Sequence, residues 1–129
     1  MGEIRTINED YQKIANELIA TRPELEDLRN SDVTIICLAS DQEKKSNGKL
    51  IFGQTEKIAD KYKWGIPCDF TITIFDPNVA YWTEEQMKIL MLHELLHVGV
   101  DGDRLYIRPH DLEDFKSIIA EYGVDWAEV

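Results

Sequence analysis

The chain has 129 residues, is 43% hydrophobic, and carries 25 acidic against 14 basic residues for a formal net charge of −11. That length and apolar content suit one ordinary domain, residues 1–129, whose core needs no disulfide staple. The charge demotes direct nucleic-acid binding, which depends on lysine and arginine displacing counterions, and the Lys57, Lys61, Lys63 cluster is interleaved with acids.

The start, MGEIRTINEDY, lacks the apolar segment of a signal peptide, and no stretch approaches the roughly 18 apolar residues of a membrane span, so neither is expected. Residues 8 to 20, NEDYQKIANELIA, predict a helix capped by Asn8, with Tyr11, Ile14, Leu18 and Ile19 on one face. DVTIICLA, residues 32 to 39, predicts a buried strand. The polar stretch after it contains Asn47-Gly48, a turn signal, and LIFGQTEKI then predicts a further strand. DFTITIF, residues 69 to 75, is the clearest strand and is ended by Asp76-Pro77-Asn78. Thr83 and Gln86 form a capping box that opens a helix through MKILMLHELLHV, with Gly99 as its stop and DGDR as loop. A last helix is expected from near Pro109 to Asp111 through LEDFKSIIAEY to Gly123. The fold class is therefore α+β, a small sheet packed on helices. Cys37 and Cys68 lie in strand-like apolar runs outside any CxxC pair and read as reduced core thiols of a cytoplasmic protein.

All three histidines of the chain fall in HELLHVGVDGDRLYIRPHD, residues 93 to 111. The helix that carries the first two is apolar almost all round, which marks a buried helix, yet its middle holds His93, Glu94 and His97. A buried carboxylate is costly unless it is paired or serves a site. Residues four apart on a helix differ by about 40° in direction and about 6 Å in rise, so two imidazoles can converge on one ion. Glu94, rotated about 100° from His93, is poorly placed as a ligand and well placed to hold a water on the ion. This is the mechanical content of H-E-x-x-H: two nitrogen ligands and a general base.

A catalytic zinc site needs a third protein ligand. His110, at the start of the last helix, is the leading candidate, with Asp111, Glu113 and Asp114 as competitors. Asp101-Gly102-Asp103 lacks the frame of a calcium loop and reads as a tight turn. Arg104, Tyr106 and Arg108 are candidates to stabilise a developing oxyanion. Arg108 could equally pair with Asp111 or Glu113, and Asp111 could orient a ligand histidine or cap the last helix.

HELLH followed by Arg108, His110, Asp111, Glu113, Asp114 and Phe115 resembles the phage-type metallopeptidase family, and the pairing of HELLH with a later Pro-His is similar to the SprT-like zinc metallopeptidases. The resemblance is strong over residues 85 to 123 and looser upstream, where Asp69 to Ile74 matches an aspartate-led strand. Leu96 stands where a cysteine is common and Pro109 where a glycine is common. The resemblance implies a zincin-like domain, a short mixed sheet packed on the HExxH helix, with Zn2+ on His93, His97 and His110. Glu94 would be the general base in hydrolysis of a peptide or protein substrate in a bacterial or phage-infected cell. An exposed sheet edge near DFTITI could hold that peptide by strand addition. Two rival functions are a zinc hydrolase of a non-peptide substrate and a non-catalytic, zinc-stabilised binding or regulatory protein of phage or mobile-element type. The residues leave the substrate and the oligomeric state open.

Overall fold

A computed structural model describes residues 3 to 109. It shows a small α+β fold with a mixed four-stranded sheet, two short hairpins and three α-helices among those residues. The sheet order is β1 (Arg5–Ile7), β2 (Ile35–Ser40), β6 (Phe70–Phe75), β5 (Gly53–Lys57), with β2 and β6 parallel and the two outer pairs antiparallel. Helix α1 (Glu9–Thr21) starts where expected, the Asn8 side chain accepting the Tyr11 amide at 2.9 Å. A short helix α2 (Glu26–Arg29) follows it.

Alternation on β2 and β6 sends Ile35, Cys37, Phe70, Ile72 and Ile74 to one face, where they meet Ala15, Leu25, Leu28, Met91, Leu92 and Leu95 in the core. Both cysteines are free and buried, as their apolar surroundings suggested. Burial pushes the Cys37 thiol up to about 12. Asn47 and Gly48, both at positive φ (54° and 77°), turn the hairpin of β3 (Lys45–Ser46) and β4 (Lys49–Leu50). LIFGQTEKI is thus split: Leu50 belongs to that hairpin and only Gly53–Lys57 joins the main sheet.

Strand β1 was not legible as a strand. It is three exposed residues long, held by pairing Arg5, Thr6 and Ile7 with Ser40, Ala39 and Leu38. Beyond it, Gln12 on α1 continues the pairing with its side chain. The amide Nε2 donates to Ile35 O at 3.1 Å, and Oε1 accepts the Cys37 N–H at 2.9 Å. A side-chain amide has the donor and acceptor of a peptide, so Gln12 satisfies an edge that would otherwise need another strand.

The expected peptide-holding edge near DFTITI is corrected by the topology. Strand β6 is hydrogen-bonded to β2 on one side and β5 on the other, so it has no edge to offer. The outer strands are β1 and β5.

Helix α3 spans Glu84–Leu96 and starts where the capping box places it, Thr83 and Gln86 making both bonds of the box. It stops earlier than expected: His97 is its C-cap, and Val98–Asp101 is already strand β7. Gly99 is therefore a strand residue rather than a helix stop. DGDR is the tip of a hairpin with β8 (Arg104–Ile107), turned at Gly102, whose φ is +61°. The expected final helix and its apolar residues lie outside the described residues.

Candidate metal centre

Helix α3 is buried on nearly every side. Ile89, Leu90, Met91, Leu92, Leu95 and Leu96 are all buried, and so is Glu94, at 5% exposure. Register decides what meets that carboxylate. On β5, Gly53 pairs with Ile74 and Thr55 with Ile72, so both face the helix side of the sheet. The Thr55 hydroxyl lies 2.8 Å from Glu94 Oε1 and 2.9 Å from the Glu94 carbonyl oxygen. At Gly53 a β-carbon would stand 3.2 Å from Glu94 Cγ and 3.3 Å from both Cδ and Oε2, so the glycine makes the space in which the carboxylate lies. Neither residue was singled out from the sequence. The one signal available was a glycine inside a strand pattern, which marks a close approach of something else.

His93 and His97 stand together, ring centroids 5.2 Å apart and planes at 71°. His93 Nε2 is 4.0 Å from Glu94 Oε2, so the carboxylate stays within the same cluster while being anchored on β5. His97 is held from the opposite direction. Its Nδ1 is 2.7 Å from the Arg108 carbonyl oxygen, and its own carbonyl accepts the Arg108 N–H at 2.7 Å. A carbonyl carries no proton, so Nδ1–H is the donor, and in the neutral ring Nε2 bears the lone pair. Metal-ligating histidines are commonly oriented by such a bond.

The donor chemistry thus fits zinc on two counts, two imidazoles on one helix and a ring locked in the tautomer that presents Nε2. No group of three or more histidine, cysteine, aspartate or glutamate side chains able to hold an ion occurs among the described residues. The proposed third ligand His110, and its competitors Asp111, Glu113 and Asp114, lie outside them. Of the expected oxyanion donors, Arg108 reaches His97 through its backbone, and Arg104 stacks its guanidinium 5.2 Å from the Tyr106 ring. Tyr106 itself packs over Gly99, where a β-carbon would meet its ring at 2.5 Å. The lysine cluster is in part neutralised, since Lys63 binds Asp69 at 2.9 Å and Asp60 at 3.3 Å. No helix among the described residues is long and apolar enough to cross a membrane.

Among the described residues, HELLH thus falls at the end of a buried helix packed against a mixed sheet in a small α+β fold. Compared with protein-family models, residues 5–129 match the family described as "Putative phage metallopeptidase". The match takes in almost the whole sequence, and the chain belongs to that family. No curated protein sequence and no solved structure matches the chain.

Proposed function

We propose that the protein is a zinc-dependent peptidase in which His93, His97 and His110 hold the ion and Glu94 is the general base. The observation that carries this reading is the double anchoring of the HExxH segment. Glu94 is fixed by β5, His97 by the backbone of residue 108, and the two anchors leave Glu94 and both rings in one cluster. Bound there, zinc supplies a Lewis acid that polarises a carbonyl and lowers the pKa of water to about 7.

The remaining work falls to the chain. Thr55 engages Glu94 Oε1, and Oε2 is the oxygen on the histidine side. Glu94 Oε2 therefore takes the proton of the attacking water and returns it to the leaving amine. Covalent reach supports His110 as the third ligand. Arg108 lies directly across from His97, and two residues of chain span at most about 7 Å. Strand β5 supports a peptide as substrate, because its far side pairs with no strand among the described residues and it also carries the seat of Glu94. Two free, buried thiols support a reducing, cytoplasmic setting.

The test is Glu94→Gln against wild type, assayed for zinc content and for cleavage of a peptide library. The expected outcome is one zinc in both proteins and turnover only in wild type. Zinc in both with no cleavage by wild type would favour a zinc-stabilised binding protein. Hydrolysis confined to non-peptide esters or amides would favour the other rival. Equal turnover in the variant would remove Glu94 from the chemistry.

A further inference from the structure

His97 sits where a helix becomes a strand, and its polar groups are divided between the two. Its backbone N–H closes the last helical turn on Glu94 O at 3.1 Å, while its carbonyl accepts from Arg108 N–H. The ladder of β7 and β8 pairs Val98 with Ile107, so Arg108 is the next residue opposite His97. In a regular antiparallel pair, His97 would also give its N–H to the Arg108 carbonyl. That N–H is used by the helix, and the imidazole Nδ1–H takes its place at 2.7 Å.

This substitution depends on hairpin register, because a slip of one residue would bring a different carbonyl to the ring and reverse every side chain. Two features hold the register. One is the turn at Gly102. The other is the directly opposed pair Gly99 and Tyr106. The Tyr106 ring covers Gly99 so closely that a β-carbon there would stand 2.5 Å from Cε2 and Cζ and 2.7 Å from Cδ2. An aromatic ring laid over a strand glycine is a known means of pinning strand pairing.

The geometry points to Gly99 and Tyr106 as the positioning pair for His97. The Tyr106 ring, not its hydroxyl, sets the register that delivers the Arg108 carbonyl to Nδ1 and presents Nε2 for zinc. The inference rests on the zinc reading of the site and goes beyond it by assigning these two residues.

The experiment measures zinc affinity of the full chain by competition with a chromophoric chelator, for wild type, Tyr106→Phe, Tyr106→Ala and Gly99→Ala. Thermal unfolding of the metal-free proteins and the long-range proton–nitrogen spectrum of His97 accompany it. Tyr106→Phe keeps the ring and is expected to bind as wild type does. Tyr106→Ala and Gly99→Ala are expected to bind about 10–100-fold more weakly and to lose the fixed Nδ1–H tautomer while still unfolding cooperatively. Tyr106→Leu, which keeps an apolar side chain without the planar ring, carries the same expectation should Tyr106→Ala not fold. Wild-type affinity in the variants without the ring, or weak binding by Tyr106→Phe, would overturn the inference alone. A wild-type His97 protonated at Nε2 would overturn it as well. Absence of zinc binding by wild type would overturn the metal reading and this inference with it, before any substitution is made.

Discussion

Thr55 supplies a hydroxyl proton to a carboxylate group that is almost sealed from water. Replacing it with valine keeps the shape and removes the hydrogen bond to Glu94 Oε1, at a cost of about 1–3 kcal/mol for a buried hydrogen bond lost. Urea unfolding of Thr55→Val should therefore show a lower midpoint with an unchanged slope, and Thr55→Ser should recover most of the loss. Asp69 shows the same economy at the start of β6. Burial by itself pushes its carboxyl up, but hydrogen bonds from Lys63 and from the Thr34 amide outweigh that and hold it below the usual carboxylate range. With its folded value below the unfolded one, its contribution is complete above about pH 4 and is lost as pH falls through the folded value. Asp69→Asn should flatten that acidic limb of the stability profile and leave the profile's shape near neutrality unchanged, as followed by thermal unfolding across pH.

Gln12 is the clearest case at the scale of elements. It lies on a helix but does the work of a strand, joining α1 to β2 by two hydrogen bonds where β1 has run out. Gln12→Ala should cost about 1–3 kcal/mol and should expose the Cys37 amide to faster hydrogen exchange, while amides of β6 keep their protection. The elements with strong local signals were readable in advance. Asn8 and the Thr83–Gln86 box start helices because their side chains satisfy amides that no helical carbonyl reaches. Asn47-Gly48 turns because both residues tolerate positive φ. Strand β1 and the β7–β8 hairpin were missed for the opposite reason. Their residues have weak alternation, and they exist because each strand finds a partner elsewhere in the chain, β1 on β2 and β7 on β8.

For the molecule as a whole, the expected consequence of the site is linkage between metal and folding. An ion that binds only the folded chain adds about 2.7 kcal/mol at a hundred times its dissociation constant. Zinc should raise the thermal midpoint, a chelator should reverse the rise, and His93→Ala should abolish it; an unchanged midpoint in wild type would argue against a resident ion. The sequence by itself determined the class of fold, the helix that carries His93, Glu94 and His97, and the family, because capping, periodicity and motif spacing are local properties of the chain. Only the tertiary structure decided that β6 is central and β5 outermost, that Gly53 and Thr55 seat Glu94, and that the Arg108 carbonyl fixes His97. Those facts depend on strand order and register, which arise from pairing between segments far apart in the chain and leave no periodic trace in either one.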